Sequence, residues 1–292
     1  MSTYNRPQWV GMSAESVLSQ DCDLELLIVD HGSGPETAIA LGKITDPRCK
    51  KYRIEENWSQ GNPWAYLTQF ATGDYLVIFT DDDLMVPGTL RRKVEFMGAH
   101  PAVGMAFTPV FQMNEFGESV EKSSIGRPYE CDMDTQAVSF EKLIRANVVS
   151  MMSAIFRAEL APVACKLLNS DLGRTVYGDW ALWLELASAA DTAYINEESA
   201  IVRIHGGSDS SVRGVQCGEF LKSMLMVWEH WFDRGFVANS AQWDIMRVWY
   251  LSMAIATPGK DMDFLYDHVR RFEAFRESHD TQGADHGRDH VA

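Results

Sequence analysis

The sequence predicts an α/β protein with a mainly parallel central sheet flanked by helices and followed by a C-terminal helical extension. Three observations carry that expectation. Between Gln8 and Ile204, apolar β-branched runs alternate with helix-patterned segments over short connections. That is the βαβα order of a parallel sheet with right-handed crossovers. One run, Tyr75-Leu76-Val77-Ile78-Phe79, has no polar break and reads as a strand covered on both faces. From about Gly218 the strand pattern stops, and apolar residues recur at helical spacing.

In chain order, Ser2-Thr3-Tyr4-Asn5-Arg6-Pro7 is polar and turn-like, and a helix is expected from Gln8 to Ser19. Leu24 to Val29 is a strand, running into Asp30-His31-Gly32-Ser33-Gly34, and Pro35 to Ile44 is helical. A short strand around Tyr52 to Ile54 leads through Asn57 to Asn62 into a helix ending at Ala71, where Gly73 supplies a stop. After the Tyr75–Phe79 strand and Asp81-Asp82-Asp83, a helix follows Pro87 to Gly98, and Val103 to Met113 is strand-like. Ser119 to Asp134 is a long polar loop, a length that favours a functional flap. A helix around Phe140 to Arg145, a strand around Met152 to Phe156 and a helix to Leu168 come next. Tyr177 to Ala187 is an amphipathic helix with Asp179 near its start. Short strands at Ala193–Ile195 and Ala200–Ile204 follow, the second ending in His205-Gly206-Gly207-Ser208. Three apolar stripes, around Phe220 to Phe232, Trp243 to Ile255 and Phe264 to Phe275, read as helix-packing surfaces. The expected division is an α/β domain over 1–215, a helical extension over 216–280 and a disordered tail over 281–292.

Composition narrows the function. A formal net charge of −15 disfavours a nucleic-acid partner, because phosphate neutralisation needs a basic face. Five scattered cysteines without a CxxC pair fit reduced thiols better than a disulfide framework or a zinc site. No apolar run approaches the length of a membrane span, and Met1 is followed directly by polar residues rather than a signal peptide. The expectation is a cytoplasmic protein, with peripheral membrane contact left open.

The chemistry gathers at Asp81, Asp82 and Asp83. Strands of open α/β sheets present ligand-binding groups at their carboxyl ends, so these acids should stand at the mouth of a crevice with Asp30. Adjacent like charges repel and call for a cation; a hard divalent ion held by one or two carboxylates and substrate phosphates would satisfy them. The alternative is a solvated acidic turn opening the next helix.

Several motifs then recur in a family order: STYNRP, LLIVDHGSG, NWSQGN, ATGDYLVIFTDDDLMVP, YGDWALWLELA and VRIHGGSDSS. Together they resemble the family 2 glycosyltransferases of the GT-A fold over about residues 2–211. The resemblance implies transfer of a sugar from a nucleoside diphosphate donor to an acceptor hydroxyl, metal-dependent and with inversion. It implies that Thr3, Tyr4, Asn5, Arg6 and Asp30 hold the nucleoside. An Asp at that position suits the imino N–H of uracil or thymine, so UDP is the leading donor nucleotide, with TDP and GDP as alternatives. Asp81 and Asp83 match the DxD motif, Asp81 for the ribose and Asp83 for the metal, while Asp82 turns aside. His205 matches a histidine that joins the metal or the diphosphate, and imidazole favours Mn²⁺ over Mg²⁺. Asp179 matches the general base that takes the acceptor proton.

The chain departs from the family pattern at Gly178, where Glu is usual before the base, and at His31, where a second Asp is usual. The apolar strand that normally precedes the STYNR segment is represented by Met1 alone, so the sheet is expected to lack its first strand or to fill it from elsewhere. Two other readings remain. A non-catalytic nucleotide-sugar-binding or scaffolding protein would share every binding residue. A sugar nucleotidyltransferase would need a glycine-rich basic phosphate loop near its start, and Arg6 stands there without glycines.

Overall fold

Leu26, Leu27, Ile28 and Val29 are all buried, and they form the centre of the first sheet. The computed structural model describes residues 1–58, 61–120, 135–216 and 218–280. Most of the expected flap and the expected tail lie outside the described residues. Strand β1 (Ser2–Thr3) is followed by helix α1 (Val10–Leu18), β2 (Leu26–His31), α2 (Pro35–Gly42), β3 (Cys49–Ile54) and α3 (Asn62–Thr68). The order β1-β2-β3 is parallel throughout, with Thr3 opposite Asp30 and Asp30 opposite Arg53. Against one part of this sheet, Leu27, Val29 and Leu67 form a core joined by Tyr52, Tyr66 and Phe70. Met1 is buried, and its ammonium donates to the Leu27 carbonyl at 2.8 Å.

The expected five-residue central strand is divided. Only Tyr75–Leu76 forms a ladder strand (β4), while Thr80 bridges Ser2 in parallel. The parallel neighbour, β1, is two residues long, so residues 77–79 cross between sheets without a ladder of their own. Their apolar character still holds them inside: Ile78 and Phe79 are buried, and Val77 packs on the core of Met97, Ala106, Ile155 and Ala193.

Beyond them come β5 (Leu84–Met85), α4 (Thr89–Ala99), β6 (Val103–Phe107), β7 (Phe111–Asn114), β8 (Thr135–Val138), α5 (Phe140–Leu143), β9 (Ile155–Arg157), α6 (Ala161–Leu168), α7 (Gly178–Ala189), β10 (Asp191–Ile195) and β11 (Ala200–Ile204). The second sheet has the order β4-β9-β6-β10-β8, and the third the order β5-β11-β7. Both mix directions: β10 is parallel to β6 but antiparallel to β8, and β11 is parallel to β7 but antiparallel to β5. The strand-like stretch from Val103 to Met113 is therefore two strands in two sheets, β6 and β7.

These elements form one compact unit made of Met1–Leu143, Asn147–Arg174 and Gly178–His205. A second unit contains Ile144–Ala146, Thr175–Tyr177 and the chain from Gly206 onward. It is built from α8 (Glu219–Phe232), α9 (Ser240–Ala256) and α10 (Met262–His279). The apolar stripes expected from sequence form its core: Phe232 stacks on Trp243 at 5.0 Å, and Trp228 meets Phe272 edge-on at 6.1 Å. Asn239 and Gln242 close a reciprocal cap at the start of α9. Among the described residues, no helix is long and apolar enough to cross a membrane.

One charged side chain is buried away from the acidic run. Lys93 on α4 donates to the Ser153 carbonyl at 2.6 Å, and burial lowers its pKa to about 7. Its folded pKa lies below the unfolded value of about 10.4, so the unfolded chain holds the extra proton between these limits. The resulting stability penalty is fully developed below about pH 7 and disappears as pH rises toward 10. Lys93→Met should flatten the rise in unfolding free energy over that window, measured by urea denaturation across a pH series. Parallel curves for the two proteins would show that Lys93 does not cause the slope.

Candidate active site

Helix α1 positions the acidic run through one polar face. Ser13 and Ser16 lie on the same side of the helix, and Gln20 follows its C-terminal cap. Ser13 Oγ donates to the Asp83 carbonyl, the Met85 amide donates to Ser16 Oγ at 3.0 Å, and Gln20 Nε2 donates to the Val86 carbonyl at 3.1 Å. The turn that follows Phe79 is thus fastened at successive backbone groups. Strand β11 reaches the same turn from the other side: β5 pairs with its start, and His205 directly follows its end.

All three carboxylates are buried, and their surroundings differ. Asp83 turns inward. Its Oδ1 accepts the Arg203 amide at 2.7 Å, and its Oδ2 accepts the Thr80 hydroxyl. Asp82 turns toward Arg6 and His205: its Oδ2 is hydrogen-bonded by Arg6 Nη1 and stands 2.9 Å from His205 Nε2. Asp81 lies 3.8 Å from Arg6 Nε through Oδ1. Burial, followed by the neighbouring charge of Asp82, pushes Asp81 up to about 7 and Asp83 up to about 8. Burial also opposes ionisation of Asp82, but the His205 contact and the Arg6 charge outweigh it and hold Asp82 below the usual range. Asp82 is therefore the most readily ionised of the three.

The expectation placed the metal at Asp83 and His205 and turned Asp82 aside; in the fold Asp82, not Asp83, contacts His205. Asp83 is enclosed and hydrogen-bonded within the fold, whereas Asp82 shares a cation with His205. Two aromatic and cationic groups complete the cluster. The Trp9 ring centroid is 4.4 Å from that of His205, and the guanidinium carbons of Arg6 and Arg203 stand 5.7 and 5.3 Å from it. Arg203 Nε also donates to the Asp82 carbonyl at 2.9 Å.

A second group of residues surrounds Asp30. Its Oδ1 accepts the Ser33 amide at 3.0 Å, and its Oδ2 is paired with Arg53. Ser33 Oγ accepts the Asn5 amide at 2.8 Å, and Asn5 Oδ1 accepts the Gly34 amide at 2.8 Å. This exchange holds Asn5 at a φ of 53°, a left-handed conformation that Asn tolerates better than most residues. Tyr4 is exposed and stacks on His31 at 5.6 Å, and His31 Nδ1 lies 3.1 Å from Asn57 Oδ1. Thr3, Tyr4, Asn5, Arg6 and Asp30 thus belong to one edge of the first sheet and its adjoining turns.

Asp179 stands in the first turn of α7. The Trp180 amide donates to its Oδ1 at 2.7 Å, and Asn147 Nδ2 lies 3.2 and 3.3 Å from its two oxygens. Burial raises its pKa to about 6, against the opposing pull of these hydrogen bonds. The preceding glycine has a steric reason. A Cβ at Gly178 would lie 2.2 Å from the Gly173 carbonyl oxygen and 2.8 Å from its carbon. No side chain fits there unless the backbone moves.

Sequence reasoning missed Arg53, Trp9, Arg203 and Asn147. Arg203, a cation within the apolar strand run Ala200 to Ile204, was a legible signal of a buried partner. Trp9, just beyond Arg6-Pro7, was a weaker one. Arg53 is one charge on a mixed strand, and nothing in the sequence pairs Asn147 with Asp179.

The residues present can be tested against the divalent ion that such a site implies. Asp82 Oδ2 and His205 Nε2, 2.9 Å apart, are a carboxylate and an imidazole that could together hold such an ion. Among the described residues, no group of three or more His, Cys, Asp or Glu side chains could hold a metal. Protein donors therefore fit as a pair, with the remaining ligands left to substrate and water.

The fold that gathers these side chains at one sheet edge is shared by known proteins. The profile of glycosyl transferase family 2 matches residues 1–161. An uncharacterised glycosyltransferase of Rickettsia conorii is 24% identical over 208 residues, 71% of this chain and 32% of the relative. Residues 1–349 of Staphylococcus aureus TarS superimpose with a TM-score of 0.64 at 14% identity, covering 94% of this chain and 81% of TarS 1–349. A Pyrobaculum calidifontis mannosyltransferase, PcManGT, solved with GDP-Man and Mn²⁺, gives a TM-score of 0.56 at 17% identity, covering 94% and 73%. The fold is that of the GT-A glycosyltransferases. The chain belongs to glycosyl transferase family 2. Its matched stretch spans about a third of the length of the first curated relatives.

Gly178→Ala should lower the unfolding free energy by roughly 1–3 kcal/mol, the usual cost of overpacking. Gly178→Glu, which restores the usual family residue, should do no better. Urea denaturation of both variants checks this; unchanged midpoints would mean that the backbone yields at low cost.

Proposed function

We propose that this chain is a glycosyltransferase that moves a sugar from a nucleoside diphosphate donor to an acceptor hydroxyl, with a divalent cation and with inversion. The observation that carries the reading is the convergence of Asp82 Oδ2 and His205 Nε2 on one cationic position, beside the turns that carry Tyr4, Asn5 and Asp30. Thr3, Tyr4, Asn5 and Asp30 hold the nucleoside, with the Tyr4–His31 stack as a flat platform and Asp81 toward the ribose. The divalent ion belongs at Asp82 and His205, where it would neutralise charge growing on the departing diphosphate. Mn²⁺ is favoured over Mg²⁺ because imidazole is one of the donors; the Mn²⁺ found with PcManGT supports a divalent ion on this fold. UDP remains the leading nucleotide, with GDP and TDP as alternatives, and a cytoplasmic location belongs to the same reading.

In the transfer, the acceptor oxygen forms a bond to the anomeric carbon as the bond from that carbon to the diphosphate oxygen breaks. Asp179 takes the acceptor proton. Its neighbours suit that role: burial raises the basicity of the carboxylate, and the Trp180 amide and Asn147 amide keep it oriented. Asp82, charged and cation-paired, holds the donor end, so the two acids carry different tasks.

Asp179→Asn should leave nucleotide binding intact and lower transfer by ~10²–10⁴. In the parent protein, Asp179 works only when ionised, so transfer should fall as pH drops through about 6. A rate that stays level down to pH 5 would argue against Asp179 as the base. Donor-hydrolysis screening with UDP-, GDP- and TDP-sugars, with and without Mn²⁺, identifies the nucleotide.

Asp82→Asn should abolish the Mn²⁺ dependence of nucleotide binding. Asp83→Asn should keep it, because Asn retains an oxygen for the Arg203 amide, and the contacts to His205 and Arg6 are made by Asp82 rather than Asp83. Calorimetry with and without Mn²⁺ reads both, and the reverse pattern would return the metal to Asp83.

A further inference from the structure

The Arg6 guanidinium occupies an unusual position. Its Nη1 is hydrogen-bonded to Asp82 Oδ2 and stands 2.8 Å from His205 Nε2, while those two atoms are 2.9 Å apart. The three atoms form a closed triangle. Arg6 Nη1 therefore lies within hydrogen-bond distance of both atoms and fills the space beside them. A divalent ion held by both Asp82 Oδ2 and His205 Nε2 would take the space that Arg6 Nη1 now fills. The cation present is Arg6. The cluster is largely withdrawn from water, with side-chain exposures of 18% for Arg6, 12% for Asp82 and 4% for His205. An uncompensated carboxylate there would be costly.

The same two atoms are those assigned above to the divalent ion, and the guanidinium and the ion cannot both lie against them. We propose that Arg6 is the resident counter-cation of the Asp82–His205 pair, and that a divalent ion binds there only by displacing its guanidinium, which then meets the donor's diphosphate. This rests on the metal reading above and adds an exchange to it. Arg6 has two features suited to such an exchange. Its guanidinium is also held by Asp81 at 3.8 Å and by the Trp9 face, so it has contacts to keep after leaving Asp82. The diphosphate that arrives with the ion offers bidentate acceptor oxygens of the kind guanidinium prefers. Without nucleotide, the metal faces a competitor tethered at high effective concentration. With nucleotide, that competitor gains an anionic partner and releases the site.

The test measures Mn²⁺ binding by electron paramagnetic resonance, with and without UDP and GDP, on the parent protein and on Arg6→Met, Arg6→Gln and Arg6→Lys. Neutral replacement at Arg6 should tighten nucleotide-free Mn²⁺ binding by at least about tenfold, and should weaken metal-free nucleotide binding. Arg6→Lys, which keeps the charge, should stay near the parent in nucleotide-free Mn²⁺ affinity. Melting temperatures give a second readout: Mn²⁺ alone should raise that of Arg6→Met or Arg6→Gln more than that of the parent. Unchanged or weaker nucleotide-free Mn²⁺ binding in both neutral variants, with nucleotide-dependent binding intact, would overturn the exchange while leaving the metal reading in place. Absence of Mn²⁺ binding from every protein, even with nucleotide, would overturn both. If one neutral variant fails to fold, the other carries the comparison; if both unfold and Mn²⁺ does not restore them, the proposal fails as well.

Discussion

Three adjacent carboxylates are buried where strands from two sheets meet, and the arrangement of the first unit follows from their need for compensation. A carboxylate taken out of water must be paired, hydrogen-bonded or protonated. Each of the three meets that need differently. Asp83 is enclosed by the Arg203 amide and the Thr80 hydroxyl and is pushed toward its neutral form. Asp82 keeps its charge against Arg6 and His205. Asp81 lies between these cases, near Arg6 but raised by burial and by Asp82. Sharing the burden in this way leaves the most readily ionised of the three, Asp82, at the candidate cation position.

That solution draws distant segments together. Arg6 comes from the turn after β1, Arg203 and His205 from the end of β11, and the hydrogen-bonding face of α1 fixes the backbone between them. The Trp9 ring lies against all three cationic or imidazole groups. It limits their freedom without adding a charge. The Asp30 network works by the same economy: one carboxylate satisfies the Ser33 amide and the Arg53 guanidinium, and Ser33 in turn holds Asn5 in its left-handed turn.

Asp179 shows a different use of burial. The Trp180 and Asn147 amides orient it, and burial raises its basicity against their pull. The close approach of Gly178 to the Gly173 backbone sets where α7 begins. The absence of a Glu before Asp179 therefore has a packing cause. The chain spends that position on a backbone contact.

Much of this was legible in the sequence. The alternation of apolar and helix-patterned runs locates most elements to within a few residues, because burial of one face imposes a period on the residues themselves. Motifs at strand ends identify the family and the neighbourhood of Asp30, Asp81 to Asp83, Asp179 and His205. The apolar stripes after Gly218 correctly announce a helical unit. What periodicity does not carry is side-chain direction in an irregular turn: past Phe79 the run has no ladder to set which acid faces in. Whether Asp82 or Asp83 meets His205 is decided by the Arg203 amide and the Thr80 hydroxyl, one of them 120 residues away in sequence. The pairing of Asn147 with Asp179, and the steric demand at Gly178, likewise exist only once the chain has closed. Local pattern determines which segments are strands and helices; the partners of a buried charge depend on three-dimensional proximity, and only the tertiary structure supplies it.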